Sequence, residues 1–460
     1  MIVSEKIEIL MNASNEKYVI HMCEGLFVKW SLSPIKKYHF QCGDFFTDVT
    51  ILPVSLEEST ISLHPLLMKE CRLPKLNYKL SLHFHQNSDM ISIGLFVGLL
   101  TEVRETEQGP SFGSIQDFTE ELAMYCEENH VFFYVFSLKE FNRANNQLDG
   151  YTWNGDCWKL TEVPTAHVVH NRIHSRKREK STPYEQLLTM LHDKHIPFFN
   201  DHFLNKWETH QSLAQQEHLL PYLPETHLLL SFNILEEFLQ KHEKIFIKPI
   251  HGSQGKKIIR IERHGEEYIL DYTTFSGDIE KNFPTIRELF KAIKPRLANQ
   301  AFIIQQGIPL LSFQDRILDF RFLCHLNSMN LWKVTSSVAR ISSPNEFVSN
   351  LARGGEIQKV SKLLKEILDT KVAIDVTKML HELALEVASS VGQSEEGLFG
   401  ELGIDLALDI SAKPWIIEVN TKPSKNMEAP TVKQSIRPSA KAIINYCLFL
   451  ANPFQRSDLQ

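Results

Sequence analysis

The sequence lacks the features that mark secreted, membrane-spanning or nucleic-acid-binding proteins. Its seven cysteines show no paired spacing, so neither a disulfide framework nor a zinc site is indicated. The longest apolar run, residues 91–100, is too short to cross a bilayer, and the charged start MIVSEKIEIL is not that of a signal peptide. A net charge of −7 provides no basic footprint for nucleic acid. We therefore expect a soluble, cytoplasmic protein that contacts neither membrane nor nucleic acid.

Signatures of covalent catalysis are missing as well. The chain contains no nucleophile elbow and no convincing pairing of Cys or Ser with His. The sequence therefore gives no sign that one of its own side chains acts as a nucleophile.

A P-loop is also absent, because the glycine-containing loop at residues 252–255 lies between two strand-like runs and lacks the G-x-x-x-x-G-K-[ST] spacing.

The chain is long enough for two to four domains. Residues 1–88 contain short apolar runs broken by prolines and polar residues, which predict a small β-rich domain. Residues 89–178 begin with a single buried strand, ISIGLFVGLL, followed by a helix over 114–129 and the strand VFFYVFS; this order indicates a parallel α/β unit. Ser181 predicts the start of a helix that opens the remaining domain, residues 179–455.

The most informative stretch, ELGIDLALDISAKPWIIEVN, covers residues 401–420. Its alternating apolar residues predict two short strands. A turn over residues 410–413 would pair Asp409 with Pro414. The apolar face of the second strand would then consist of Trp415, Ile417 and Val419.

In this register two carboxylates face each other. Asp405 lies directly across from Glu418, and Asn420 shares the strand face of Glu418. Cross-strand neighbours are roughly 5 Å apart at Cβ, where like charges repel. A hard divalent cation would remove that repulsion, because magnesium prefers carboxylate and amide oxygens. The hairpin therefore predicts a metal site formed by Asp405, Glu418 and Asn420. Taken alone, the hairpin is equally compatible with a second interpretation, in which its polar face meets water.

A second predicted hairpin lies upstream and places a lysine inside an apolar strand. Residues 245–263 predict a strand, a glycine loop and a second strand, with Lys248 within the first apolar run. Burial of an ammonium without an anionic partner is costly. Glycines in the loop would let backbone N–H groups approach an anion, although most such loops are only turns. The lysine is therefore the stronger indication of an anion site.

Taken together, these landmarks resemble those of the ATP-grasp superfamily. They occur in the order Lys248, GSQGKK, IIQQGI at 303–308, DFRFL at 319–323, and the pair GIDLALD and WIIEVN. The chain is more closely similar to the YheC/YheD-type spore-coat-associated proteins of endospore-forming bacteria. That similarity is carried by segments that include FNDHFLNKW, YLPET, KPIHGSQGKKIIRI, NLARGGE and GELGIDLALD. It covers most of the chain and is weakest before about residue 90.

The resemblance implies an α/β protein with the ATP-grasp fold, built from α+β lobes. A nucleotide-binding lobe would cover about 205–304 and a metal-binding, catalytic lobe about 305–455. The parallel α/β domain and the β-rich N-terminal region would precede them. ATP and Mg²⁺ would be the cofactors, with Mn²⁺ as a substitute.

The resemblance also implies roles for individual residues. Lys206 and Lys248 would contact phosphates, although Lys206 has the alternative of being a surface lysine. Gln305, Gln306 and Ile308 would line the adenine pocket, where many family members carry a glutamate. The lid over the β- and γ-phosphates would be formed by Gly252, Ser253, Gln254 and Gly255.

Two arginines complete the candidate site. Arg321 lies between two phenylalanines and needs an acceptor, and Asp319 on the same strand face is a poor one at two residues' spacing. The γ-phosphate, or an acyl phosphate formed from it, would supply bidentate oxygens. Arg340 resembles a second arginine of the same cleft. A salt bridge to a neighbouring carboxylate is its equal alternative.

The chemistry implied is that of a carboxylate ligase. ATP would activate a carboxylate as an acyl phosphate, which an amine or thiol would attack, with catalysis by positioning and charge neutralisation. The carboxylate substrate and the nucleophilic acceptor are unidentified, and spore coat proteins are candidate partners. The alternative is a structural spore coat protein that binds nucleotide without turnover.

Overall fold

The computed structural model describes residues 2–13, 16–74, 78–142, 144–252, 257–274, 277–298, 300–343, 355–425 and 435–451. The chain divides into two compact units. Unit 1 comprises the described residues within Met1–His202, Leu326–Leu331 and Ser424–Gln460. Unit 2 comprises those within Phe203–His325 and Trp332–Pro423.

Unit 1 begins with a closed barrel whose strand order is β1-β5-β2-β4-β3-β7-β6. Its strands are β1 (Ile2–Met11), β2 (Val19–Cys23), β3 (Lys37–Cys42), β4 (Phe45–Val54), β5 (Thr60–Leu63), β6 (Tyr78–His85) and β7 (Met90–Ile93), accompanied by helices α1 (Glu24–Lys29) and α2 (Pro65–Glu70). Strand β6 shows why the barrel forms, since its alternating residues Leu80, Leu82 and Phe84 are buried in the interior. The β-rich region predicted for residues 1–88 is this barrel, which extends to Ile93.

A mixed sheet follows the barrel in unit 1, with strand order β12-β13-β11-β8-β15-β16 and β14 beside β13. The strands of this part are β8 (Phe96–Leu100), β9 (Arg104–Thr106), β10 (Gly109–Ser111), β11 (Phe132–Phe136), β12 (Phe141–Asn142), β13 (Gln147–Trp153), β14 (Trp158–Glu162), β15 (Val168–Asn171) and β16 (Phe198–Phe199). Strands β9 and β10 pair with each other in a separate two-stranded sheet. Its helices are α3 (Gln116–Glu128), α4 (Arg176–Glu179) and α5 (Thr182–Asp193). Strand β8 pairs in parallel with β11 and with β15. The predicted parallel α/β unit is therefore present.

The apolar run ISIGLFVGLL is two strands and not one, which corrects the prediction of a single buried strand. Gly94 separates β7 of the barrel from β8 of the mixed sheet and adopts a φ of +75°. A Cβ at this position would lie 2.8 Å from the ring of Phe96. The left-handed conformation and the close ring both favour glycine here, so the chain turns within an uninterrupted apolar run.

Three segments predicted within the 179–455 domain belong to unit 1, namely the described residues of 179–202, 326–331 and 424–455. Helix α5 begins after Ser181, as predicted, and its Leu187 and Met190 join the same hydrophobic core as the barrel. Helix α11 (Pro438–Ala451) packs in unit 1, where Tyr446 meets the ring of Phe199 with centroids 5.3 Å apart. Both helices therefore bury their apolar side chains within unit 1.

The first sheet of unit 2 has the strand order β17-β22-β18-β19-β20-β21. This part of the chain contains α6 (Lys206–Ala214), β17 (Thr226–Leu228), α7 (Phe232–Lys241), β18 (Lys244–Pro249), β19 (Ile259–His264), β20 (Glu267–Thr274), β21 (Gly277–Phe283), α8 (Ile286–Leu297) and β22 (Phe302–Gln306). Helix α6 packs with the second sheet, because its Leu213 belongs to that sheet's core. Strands β18 and β19 pair antiparallel, with Ile247 opposite Ile259, and form the predicted upstream hairpin. Leu235 of α7 and Leu289 of α8 cover the apolar face of this sheet.

The second sheet of unit 2 has the strand order β26-β25-β24-β27-β28, with β23 beside β24. Its elements are β23 (Ser312–Phe313), β24 (Arg316–Leu326), β25 (Trp332–Ile341), β26 (Glu356–Gln358), α9 (Val360–Ile367), α10 (Thr370–Ser394), β27 (Glu401–Leu408) and β28 (Pro414–Asn420). Phe320 and Phe322 of β24 join the core that helix α10 covers with Leu380 and Val387. The period of two then places Asp319 and Arg321 on the opposite face of β24.

No helix in the described part of the chain is both long and apolar enough to cross a membrane.

Candidate functional site

The hairpin of β27 and β28 brings together two of the predicted site residues. Asp405 lies across from Glu418, as predicted from the sequence. The predicted pairing of Asp409 with Pro414 is wrong, because Pro414 lies opposite Leu408. A register shift between Asp405 and Leu406 compensates for the difference. This bulge keeps the two carboxylates opposite each other, although the pairing beside the turn differs by one residue from the predicted pairing.

The bulge also changes the apolar face of β28. Ile416 is 3% exposed and belongs to the core, whereas Trp415 and Ile417 are only partly buried. In the turn, Asp409 accepts hydrogen bonds from the backbone N–H groups of Ser411 at 2.8 Å and of Lys413 at 3.1 Å. The predicted face of Trp415, Ile417 and Val419 is therefore wrong in its first two members.

Both candidate arginines form buried ion pairs on neighbouring strands. Arg321 of β24 lies opposite Asp405 of β27 and binds its carboxylate through Nε and Nη2, the latter at 2.6 Å. Arg340 of β25 binds Asp319 through the same two nitrogens, with Nη2 2.5 Å from Oδ2. Nη2 of Arg340 also lies 3.1 Å from Oδ2 of Asp405. Arg321, Arg340, Asp319 and Asp405 therefore form one connected cluster, which we call the arginine cluster.

The arginine cluster overturns one step of the sequence argument. Arg321 does not need a phosphate to supply bidentate oxygens, because the carboxylate of Asp405 already does so. The alternative of a salt bridge for Arg340 is confirmed. Burial by itself would raise the pKa of Asp405, but the charges and hydrogen bonds of Arg321 and Arg340 hold it below its usual value. Asp405 is thus ionised and tightly held by two guanidinium groups.

A second group of charges lies around Glu418. Lys206 begins helix α6, and its Nζ lies 2.5 Å from Oε1 of Glu418 and donates to the carbonyl oxygen of Gly252 at 2.8 Å. The side chain of Lys206 is 16% exposed, so the alternative of an ordinary surface lysine is wrong. Lys206, Glu418 and the nearby Lys248 are called the lysine group below.

Lys248 has no carboxylate within salt-bridge distance among the described residues. Its ammonium donates to Oε1 of Gln305 at 2.6 Å and lies 5.6 Å from the centre of the Phe246 ring. Burial lowers the pKa of Lys248 to about 8; the negative charge of Glu418 opposes this shift and the positive charge of Lys206 adds to it. A half-buried ammonium whose hydrogen-bond acceptor is a neutral amide is suited to an anionic ligand.

The glutamines predicted for the adenine pocket are engaged within their own sheet. Nε2 of Gln305 donates to Oγ1 of Thr226 at 2.9 Å, and Oε1 of Gln306 accepts from the backbone N–H of Glu225 at 3.3 Å. Ile308 is 8% exposed. Between them, the N–H of Gly307 donates to the carbonyl oxygen of Lys244 at 2.8 Å, and a Cβ at Gly307 would lie 2.8 Å from that oxygen. Their contact with adenine stays a prediction.

Comparison with known proteins assigns the family. The model of the family described as YheC/D-like ATP-grasp matches residues 195–450, which is more than half of the chain. The chain belongs to this family. The resemblance drawn from the sequence and the predicted ATP-grasp fold are thereby confirmed.

Two relatives come from Bacillus subtilis (strain 168). The endospore coat-associated protein YheD is 29% identical over 378 residues, which cover 80% of this chain and 81% of YheD. The endospore coat-associated protein YheC is 21% identical over 324 residues, covering 67% of this chain and 85% of YheC.

Solved structures that align with this chain include a synthetase and an ATP-grasp ligase. D-cycloserine synthetase DcsG aligns with a TM-score of 0.46 and 12% identity, over 76% of this chain and 99% of that protein. The ATP-grasp ligase PsnB, complexed with minimal precursor, Mg and ADP, aligns with a TM-score of 0.43 and 13% identity, over 76% of this chain and 97% of that one.

The donor chemistry of the hairpin fits the magnesium that an ATP-grasp site would use. Asp405, Glu418 and Asn420 offer two carboxylates and an amide on adjacent strands, and Nδ2 of Asn420 donates to Oδ2 of Asp405 at 3.4 Å. Within the described ranges, no group of three or more His, Cys, Asp and Glu side chains is arranged to hold a metal. The amide of Asn420 is therefore needed to complete the set, and the metal role of these residues stays a prediction.

Sequence reasoning identified Asp319 only as a poor partner for Arg321 and missed its role as the partner of Arg340. The available signal was the alternation of Asp319 and Arg321 on one face of β24, with Arg340 on the next strand. Thr226 and Glu225, which fix the two glutamines, gave no signal. Three of the predicted ATP-grasp lid residues, Ser253, Gln254 and Gly255, lie outside the described residues.

Proposed function

We propose that this protein is an ATP- and magnesium-dependent ligase. It would activate a carboxylate as an acyl phosphate and transfer the acyl group to an amine or a thiol. Family membership supports the ATP-grasp part of the proposal. The observation that carries the rest is Lys248, a half-buried ammonium with a neutral amide as its acceptor, in the same unit as the Glu418 and Asp405 carboxylates.

The proposed roles follow from the charges. Lys206 and Lys248 would hold the phosphate oxygens of ATP, and the Arg321 and Arg340 guanidinium groups would neutralise charge on the phosphoryl group being transferred. Asp405, Glu418 and Asn420 would hold magnesium, which supplies further charge neutralisation when bound. No side chain needs to act as a nucleophile, because the acceptor attacks the acyl phosphate.

The cellular role is inferred from relatives. Both B. subtilis relatives are named endospore coat-associated proteins. We infer for this chain a role in spore coat formation, with a carboxylate and an amine or thiol acceptor as substrates and coat proteins as partners. Manganese would substitute for magnesium, since both accept oxygen ligands.

The test is ATP consumption by wild-type protein and by Glu418→Gln. Labelled ATP and magnesium would be incubated with spore or cell extract, and the metabolite that is consumed would be identified. We expect the wild type to consume ATP and Glu418→Gln to lose that activity while remaining folded, because the amide keeps the shape but not the charge.

A complementation experiment separates this proposal from a structural coat protein without turnover. In a sporulating host, a ligase would give the same coat phenotype for Glu418→Gln as for the deletion. Full rescue of the coat by Glu418→Gln, with normal amounts of the variant protein, would reject the ligase and favour the structural role.

A further inference from the structure

The carboxylates assigned to metal binding already face basic side chains. Arg321 and Arg340 both contact Asp405, and Lys206 contacts Glu418. A metal ion that approaches either carboxylate therefore meets a cation that is already bound there.

The charges of the two groups do not leave an excess of negative charge. The carboxylates are those of Asp319, Asp405 and Glu418. The basic side chains are those of Arg321, Arg340, Lys206 and Lys248. Cations outnumber carboxylates, so these described side chains attract an anion and repel a free divalent cation.

Lys206 is the cation that is placed to be exchanged. Each arginine binds a carboxylate through two nitrogens, whereas Lys206 reaches Glu418 through a single ammonium at the end of a flexible stem. Its backbone is fixed, because its N–H donates to the carbonyl oxygen of Ile250 at 3.2 Å and Asn205 caps the helix that it begins. The ammonium can therefore change partner without movement of the main chain.

The position of Nζ also matches that of a bound cation. It lies 2.5 Å from a carboxylate oxygen of Glu418 and 2.8 Å from the carbonyl oxygen of Gly252. Oxygen atoms of these two kinds are what a hard metal ion takes as ligands. Ammonium and metal would compete for the same Glu418 oxygen.

We propose that Lys206 acts as a stand-in cation on Glu418 and yields this position only when a polyphosphate is present. This inference rests on the proposed function, because the polyphosphate would be that of ATP. The phosphate oxygens draw the ammonium away from Glu418 and bring their own negative charge. Metal binding at Glu418 is therefore conditional on the nucleotide, and by reciprocity the metal strengthens nucleotide binding by the same factor.

The test measures binding of Mn²⁺ alone, followed by electron paramagnetic resonance, to wild-type protein and to Lys206→Met. We expect weak binding by the wild type and an affinity at least about tenfold higher for Lys206→Met, because the competing ammonium is gone. The double variant Lys206→Met/Glu418→Gln should lose the gain, which assigns the new site to Glu418. Lys17→Met is the matched control, since it removes a Lys–Glu pair of 2.7 Å between the turn before β2 and the end of α2, and it should bind Mn²⁺ like the wild type.

The failure of this inference is distinguishable from the failure of the proposed function. Equal Mn²⁺ affinity of wild type and Lys206→Met, or a gain that survives in the double variant, would overturn the inference about Lys206. If Lys206→Met does not fold, Lys206→Gln provides the same comparison. A non-hydrolysable ATP analogue with Mn²⁺ should raise the melting temperature of the wild type. An unchanged melting temperature would instead reject nucleotide binding itself.

Discussion

The arginine cluster and the lysine group lie in the same unit, yet they hold their charges in different ways. In the arginine cluster every carboxylate is bound by a guanidinium through two nitrogens, and all four side chains are nearly buried. In the lysine group one ammonium reaches Glu418 through a single contact, and the other binds a neutral amide. Glu418 also keeps 28% of its side-chain exposure.

The difference separates positioning from exchange. A planar guanidinium that forms two parallel hydrogen bonds is fixed in direction, whereas an ammonium on a four-carbon stem can turn to a new acceptor. We infer that the arginine cluster holds a fixed arrangement of charge and that the lysine group rearranges when ligand binds. Variants of the arginine cluster should therefore lower the free energy of unfolding, and variants of the lysine group should change ligand binding.

The largest effect on stability is expected from Asp405→Asn. This change leaves the buried Arg321 guanidinium without its carboxylate and removes one partner of Arg340. Breaking one side of a buried ion pair costs about 3–5 kcal/mol of unfolding free energy. Urea unfolding of the wild type and the variant would measure the loss.

Glu382→Gln is the control for Asp405→Asn. It removes one partner of an exposed pair on helix α10, where Glu382 lies 3.7 Å from Lys378. Such helical pairs contribute about 0.3–0.5 kcal/mol. A loss for Asp405→Asn as small as that of Glu382→Gln would show that the arginine cluster does not depend on its carboxylates.

Lys248→Met should produce an intermediate effect that depends on pH. The pKa of Lys248 is about 8 in the folded protein, whereas an ordinary lysine, as in the unfolded chain, has a pKa of 10.5. Between these values the unfolded chain binds a proton that the folded chain does not, so Lys248 makes the stability of the wild type rise with pH. Lys248→Met lacks this dependence and should be more stable than the wild type below pH 8, by up to about 3 kcal/mol, with the difference vanishing above about pH 10.5.

The same variant tests the binding role of Lys248. At pH 7, ATP with magnesium should raise the melting temperature of the wild type and have little effect on Lys248→Met, because the ammonium that would meet the phosphates is absent. Lys333→Met, which removes an exposed lysine of β25, should behave like the wild type in both measurements. A stability difference between wild type and Lys248→Met that is constant with pH would contradict the lowered pKa.

The sequence predicted those parts of the site that depend on local alternation. Asp405 and Glu418 face each other as predicted, although the pairing next to the turn is one residue off, because the register shift between Asp405 and Leu406 restores it. Lys248 was recognisable because a charged residue within an apolar strand is rare. The helix start at Ser181 followed from Ser181 at the cap and Pro183 two residues later, in the first turn.

The features that could not be predicted from the sequence depend on contacts between distant segments or on single backbone angles. Arg321 and Asp405 are 84 residues apart, and only the assembled order of strands makes them neighbours. The register shift between Asp405 and Leu406 interrupts the period of two, so no alternation pattern reveals it. The break at Gly94 depends on a positive φ within a run of apolar residues that otherwise predicts one strand.

Among the variants of the two charged groups, Glu418→Gln should have the smallest effect on stability, and it sharpens the comparison with Asp405→Asn. Lys206 keeps the carbonyl oxygen of Gly252 as an acceptor, and the new amide oxygen can accept a second hydrogen bond from its ammonium. Both side chains remain partly exposed, so the lost charge pair should lower the free energy of unfolding by less than about 1 kcal/mol. Urea unfolding of Glu418→Gln beside Asp405→Asn in the same buffer, without nucleotide or metal, would measure the difference directly. Equal losses in the two variants would mean that Lys206 is as firmly held as the arginines, and the division between a fixed and an exchangeable group of charges would then be wrong.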